Sequence, residues 1–447
     1  MTRDLYGLRL TTGEQAGAAY NEALTAVLRL HPGAVRAASR AVALDPTFAL
    51  GHATVALLGY EFGERVDIGA RLAAAARYAS RATDRERSHV HAVQEHVRGD
   101  SSPLLRHLTQ WPTDALLLSV AVPTIAFTGA PILPGQAWDL VEDCRPAYGD
   151  DWWFNGLLAF MRQEQHRYDD AMDLACRSLD QEPAGGHAAH ARAHAHYETG
   201  DHRSGLSWMD RWITGDGQRV ERLAHFCWHA ALHELSLGDL AAVARRYEDQ
   251  LQPTPALGCR ALVDSGSLLW RWSITPGAEG VPPVDAVLAA APEVVDRPPT
   301  AFMAMHVAVA HCAAGDTAAL ASLEAWCARS DDRCIREVCT PLTAALRELA
   351  SGEPSKAADG LAALEPAVWR VGGSDAQREI VEETRIAALL RAGRYVEARD
   401  VLDRRLDRRH SPRDRRWRRV TDQTTDQTTD QITDQITDDT PQKSANM

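Results

Sequence analysis

The chain has 447 residues, 61 acidic against 48 basic side chains, and a formal net charge of −13. A hydrophobic fraction of 45% supports a large buried core and excludes a wholly disordered chain. The negative balance excludes a general nucleic-acid binder, which needs surplus Lys and Arg to displace counterions from phosphates.

The N-terminal run Met1 to Gly7 lacks the apolar stretch of a secretory signal. The eight cysteines are scattered without a Cys-x-x-Cys pair, so a cytoplasmic location with reduced thiols is expected. From Asn21 to Leu30 and from Leu72 to Tyr78, apolar residues recur at intervals of three and four, the period of an amphipathic helix. Ala115 to Trp138 carries no charge, but it holds Pro123, Gly129, Pro131, Pro134 and Gly135. It therefore reads as a buried helix followed by a turn rather than a membrane span, whose backbone must be satisfied internally. Helical periodicity returns from Met172 to Leu179 and from Ile386 to Leu402. Alternating runs of the strand type are scarce, and an all-α fold follows.

Several of these helices fit one template. A tetratricopeptide repeat needs small residues where its two helices cross and a Pro that ends the second helix. With Pro46 as the terminal Pro, Ala34 and Ala41 fall at small positions, and Pro183 likewise places Ala171 behind Tyr168. Ala193 and Ala398 match in later units. Turns are expected at Gly200-Asp201, Gly238-Asp239, Gly315-Asp316, Gly352-Glu353 and Gly393-Arg394. The reading is a right-handed α-solenoid of degenerate tetratricopeptide-like hairpins over residues 1–408. Residues 404–419 hold nine Arg, and an Asp-containing four-residue repeat follows from Thr421. Residues 409–447 are expected to form a disordered tail, with the Arg run as the solvated end of the last helix.

Eight of the 18 His lie between residues 187 and 233. On a helix, His187, His190 and His194 project within about 60° of one another, with His196 roughly opposite. His225, His229 and His233 form a second stripe, with Trp228 beside it. Two His at i and i+4 can reach one metal ion. Pairs on adjacent helices, His190 with His194 and His225 with His229, are candidate ligands for a divalent metal such as zinc. Against this, no Asp or Glu falls within either stripe, and a His-Glu-x-x-His pattern is absent. Imidazoles that cap, stack or bind ligand without metal satisfy the same pattern.

Smaller candidates lie further on. Gly372-Gly373-Ser374 opens a helix with Ser374 as N-cap, and its backbone N–H groups with Gln377 and Arg378 suit an anion. Asp264-Ser265 lacks a nucleophile-elbow frame. The pairs Trp152/Trp153 and Trp208/Trp212 read as core. Trp270 and Trp272 stand two apart and cannot share a helical face, so one is expected to point outward.

One ordered set of strings resembles the tetratricopeptide repeat protein 38 family: Asp45-Pro46-Thr47-Phe48, Arg85-Glu86 with His89, Trp111-Pro112-Thr113-Asp114, His190 with His194 and His196, His225 with Trp228-His229, Asp264-Ser265, and Gly372-Gly373-Ser374 with Ala376-Gln377-Arg378. The resemblance spans residues 5 to 410. It implies an all-helical repeat protein and brings no settled activity. It singles out His190, His194, His196, His225, Trp228 and His229 and leaves out His187, His202 and His233.

The expected function is a binding scaffold for a peptide, protein or small molecule, using a concave surface lined by His190, His194, His225 and His229. The competing reading is an enzyme, metal-dependent or not, with these His in an enclosed pocket and Asp264, Arg85 or Glu86 and the Gly372–Arg378 turn completing it. Neither nucleic acid nor membrane is an expected partner.

Overall fold

The computed structural model describes residues 2–62, 65–120, 134–254 and 258–422. Among them the only β-type pairing is an isolated bridge between Arg3 and Arg9, and the chain is otherwise helices and turns. Two compact units emerge. One comprises Met1–Ala195, Ser207–Phe226 and Gly372–Ser374, and the other His196–Leu206, Cys227–Val371 and Asp375–Met447.

Unit one is a succession of helical hairpins. Glu14–Arg29 packs on Ala34–Leu44, Ala49–Phe62 on Ile68–Ala79, Asp84–Val97 on Ser102–Gln110, and Trp152–Glu164 on Tyr168–Gln181. The starts are set locally. Thr83 accepts from the Glu86 N–H while the Glu86 side chain returns to the Thr83 N–H, a full capping box. Asp67 and Asp151 cap their helices in the same sense. The template's small positions are where backbones approach closely: Ala34, Ala41, Ala171 and Ala193 are buried. A Cβ added at Gly156 would meet the Ala188 nitrogen at 3.0 Å and Ser178 Oγ at 3.3 Å, so only glycine fits that crossing.

Unit two repeats the pattern. Ala301–Ala314 pairs with Thr317–Ala328, Thr340–Ala350 with Pro354–Leu364, and Asp375–Arg391 with Tyr395–Arg408. The expected glycine turns hold: Gly200, Gly238, Gly315, Gly352 and Gly393 all have positive φ, which a residue bearing a Cβ adopts only under strain.

Two expectations need correction. Both Trp270 and Trp272 are buried, because six consecutive residues of the Ser267–Ser273 helix, from Ser267 to Trp272, are buried and so every face of that turn is covered; Trp270 Nε1 donates to Thr384 Oγ1 at 2.8 Å. The tail does not begin at residue 409. Residues 412–422 are helical, and Arg409, Arg413, Asp414, Trp417 and Thr421 are buried. The Arg run is drawn in because it meets the buried carboxylates Glu198, Glu379 and Glu383 of unit two, as described below. The repeat beyond residue 422 and most of the uncharged stretch from Ala115 to Trp138 lie outside the described residues. Among the described residues no helix is long and apolar enough to cross a membrane.

Candidate functional site

The Gly186–Glu198 helix carries His187, His190 and His194 along unit one. His190 is the hub of three rings: its Nε2 lies 3.1 Å from His225 Nε2, on a different helix, and 3.2 Å from His194 Nε2. Phe160 stacks on the His190 ring at 5.4 Å and meets His194 edge-on, and Phe226 closes another side of His190. Burial holds the His190 imidazole well below its ordinary pKa, with His194, His225, His187 and Arg222 opposing its charge further. The ring is therefore neutral near pH 7 and offers lone pairs. His187, half-buried, is pushed down to about 4 by burial and bonds the Val27 backbone, a structural role at the end of the Glu14–Arg29 helix.

The other expected residues fall mostly in unit two. His229 follows His225 by one turn on Leu223–Leu237 and belongs to unit two, as do His196, Trp228, Asp264, Gln377 and Arg378. Trp228 Nε1 donates to Ser267 Oγ at 2.9 Å in the core of unit two. His196 faces Asp201, with Nδ1 3.4 Å from its carboxylate. Asp264 sits in a buried π-helical turn, Leu262–Gly266, where its charge acts on His306. Gly373 and Ser374 belong to unit one. Gly372 and Gly373 both have positive φ, and the Asp375–Arg391 helix starts directly after Ser374. Arg378 pairs with Asp375 inside its own helix, and the Gln377 carbonyl accepts from Arg271 at 3.3 Å. That turn is already tied into the structure.

A second constellation in unit one is tighter. One oxygen of Asp114, Oδ2, receives His89 Nδ1 at 2.9 Å, His107 Nε2 at 3.1 Å and Arg85 at 3.1 Å. All four side chains are buried. Arg85 also donates to the Arg9 carbonyl at 2.8 Å, and Ser88 Oγ lies 2.9 Å from His107 Nδ1. Burial pushes the Asp114 carboxyl up, but His89, His107 and Arg85 outweigh it and hold it well below the usual range. Burial pushes His89 down despite Asp114. Two His and a carboxylate also form a metal-ligand set by composition. The proton reading wins here, because every contact to Asp114 Oδ2 is a complementary hydrogen bond from a donor to a carboxylate and needs no metal.

This second constellation escaped the sequence argument. Arg85 stands in the sequence reading only as a group that could complete the His190 pocket, His89 and Asp114 carry no site role there, and Ser88 and His107 are not singled out. The available signal was Arg85, Ser88 and His89 at i, i+3 and i+4, one face of a single helix.

Unit two has its own buried polar system, built from charges rather than histidines. Arg271 pairs with Glu383 at 2.9 Å with both side chains fully buried. Arg413 donates to Glu383 at 2.6 Å, to Thr275 Oγ1 at 2.8 Å and to the Arg271 carbonyl at 3.0 Å. Arg405 meets Asp414 at 2.9 Å and Glu382 at 2.6 Å. Arg409 bonds Glu198 at 3.0 Å and also Glu379. Against the cost of burial, Arg405 and Arg409 keep Glu379 ionised, well below its ordinary pKa.

His306 in this unit is completely enclosed. Its Nδ1–H donates to the Phe302 carbonyl at 2.9 Å, and Nε2 has no hydrogen-bond partner. Burial pushes it down to about 4, while an unfolded imidazole titrates near 6.5. Between those values the unfolded chain takes up a proton that the native ring refuses, so stability present above pH 6.5 is lost as the pH falls toward 4. Glu198, which burial pushes up to about 7 against the pull of Arg409, acts with the opposite sign. A comparison with a variant isolates the histidine. His306→Phe is expected to lose about 2–3 kcal/mol less stability than the parent on going from pH 7 to 4.5, at about 1.4 kcal/mol per pH unit. Urea unfolding at both pH values measures it, and parallel losses would contradict the assignment.

No protein-family model matches the chain.

Proposed function

We propose that this is a tetratricopeptide-type helical-repeat protein that binds a divalent transition-metal ion, zinc or a related metal, at a site built on His190 and His225, with His194 against His190, and acts there as an enzyme on a peptide or small-molecule ligand. The observation that carries this reading is that His190 Nε2 faces two other Nε2 atoms, at 3.1 and 3.2 Å. A neutral imidazole has one proton or one lone pair at Nε2, so it forms one good hydrogen bond in that position and leaves the other contact poor. A cation accepts all the lone pairs at once. Zinc–nitrogen bonds of about 2.0–2.1 Å at tetrahedral angles separate neighbouring ligand nitrogens by roughly 3.3 Å, close to the spacing found.

Partial burial supports a sheltered site over a His-lined open surface: His194 is 1% exposed, and His190 and His225 are half-buried. A site that keeps a coordination position open for water or substrate is the arrangement of catalytic rather than structural zinc. The phenylalanine rings against His190 and His194 supply the apolar surroundings that strengthen electrostatics at such a position. The resemblance to the tetratricopeptide repeat protein 38 family belongs to the same reading.

The test is metal analysis of purified protein, stripped with chelator and reloaded with zinc. About one equivalent per chain is expected, falling at least tenfold in His190→Ala and His225→Ala variants whose circular dichroism matches the parent. Reloading no greater in the parent than in the His190→Ala variant would remove the reading.

A further inference from the structure

Ser88 sits in the Asp84–Val97 helix, part-exposed, directly before the buried His89. A serine inside a helix ordinarily bonds back to the carbonyl four residues earlier. Ser88 does not. The one hydrogen bond its hydroxyl makes among the described residues is to His107 Nδ1, at 2.9 Å. The other nitrogen of that ring, Nε2, lies 3.1 Å from Asp114 Oδ2. An ionised carboxylate only accepts, so Asp114 fixes the His107 proton on Nε2 and leaves the Nδ1 lone pair toward the Ser88 hydroxyl. Asp114 is in turn held ionised and oriented by Arg85 and His89. Nucleophile, base and orienter thus stand at hydrogen-bond distance in the order serine catalysis requires.

A second observation is independent of that relay. Arg85, one turn before Ser88 on the same helix and 6% exposed, has a buried Nε–H with no hydrogen-bond partner. A buried donor left unmatched is costly, and the oxyanion of the acyl transfer proposed below gives this one a partner.

We propose that Ser88, His107 and Asp114 form a nucleophilic triad that acts on ester or thioester substrates through an acyl-Ser88 intermediate, with Arg85 Nε–H as the donor to the oxyanion. The Ser88 oxygen bonds the substrate carbonyl carbon as its proton passes to His107 Nδ1. The tetrahedral oxyanion collapses, the carbon–oxygen or carbon–sulfur bond to the leaving group breaks, and the alcohol or thiol leaves with the His107 proton. Water then attacks the acyl carbon and gives a proton to His107. That proton returns to Ser88 as the carboxylic acid is released, so no oxidant or reductant enters. The triad is distinct from the His190 cluster and does not depend on metal.

The test is covalent labelling of the full-length protein by an aryl fluorophosphonate, with peptide mapping by mass spectrometry. One equivalent is expected on Ser88, in metal-loaded and chelator-treated protein alike. Labelling is expected to vanish in Ser88→Ala, whose metal content stays that of the parent, and to slow at least 100-fold in His107→Gln. A thermal melt of each variant separates loss of fold from loss of reactivity. The parent protein decides the matter without any variant: no adduct at Ser88, or adducts spread evenly over several serines, overturns the proposal. Equal labelling rates in the parent and a folded His107→Gln variant overturn it too.

Discussion

A chain ended after Arg408 is expected to lose the cooperative unfolding transition of unit two, while a chain ended after Asp422 keeps it. The cut at 408 removes Arg409, Arg413, Asp414 and Trp417 together. Trp417 is buried, with its Nε1 on the Ile274 carbonyl at 3.3 Å and the Arg413 guanidinium over its ring at 4.3 Å. Deleting a buried tryptophan costs about 3–5 kcal/mol. Removing the arginines leaves Glu198 without its Arg409 partner, and breaking a buried pair costs about 3–5 kcal/mol; Glu383 loses Arg413 but keeps Arg271. Those losses overlap and do not simply add, yet together they approach the roughly 5–15 kcal/mol that holds a domain folded. Scanning calorimetry of the two truncations measures the effect, and similar thermograms would show that the last helix contributes little.

The second large effect belongs to unit one. Asp114→Ala is expected to lower its melting temperature by about 10 °C or more. The substitution leaves the Arg85 charge, 6% exposed, without a carboxylate and takes the acceptor from both His89 and His107. Stranding one member of a buried ion pair costs about 3–5 kcal/mol, and each kcal/mol shifts the transition of a unit this size by about 2–4 °C. Replacing both charges, Arg85→Met with Asp114→Leu, is expected to recover more than half of the loss, because two apolar side chains need no partners. A single variant that melts within 2 °C of the parent would show that water reaches this site.

These two expectations mark where local reasoning succeeded and where it stopped. The glycine turns at 200, 238, 315, 352 and 393 and the small residues at 34, 41, 171, 193 and 398 follow from backbone conformation and helix crossing, and both are properties of a short stretch of chain. Of the candidate site, the closeness of His190 to His194 was equally legible, since a four-residue step on a helix stacks two side chains. Their meeting with His225 was only one of several possible partnerships. The separation of His196 from that row followed from the helical wheel, while the assignment of His229, Trp228 and Asp264 to unit two did not. The Arg run was misread outright, because nine arginines in sixteen residues resemble a solvated end until their acceptors are known.

What the amino-acid sequence determined alone is the helical class, the positions of the hairpin turns and the pairing of residues within one helix. All of these depend on interactions spanning a few residues. Which side chains are buried, and against what, was decided only by the tertiary structure. Arg409 and Glu198 lie 211 positions apart. Ser88 reaches His107, and His89 reaches Asp114, only because the chain folds back on itself after the Asp84–Val97 helix. The energy of a charge or an imidazole depends on its exposure and its partner far more than on its neighbours in the chain. Those two quantities come into being only when distant segments pack.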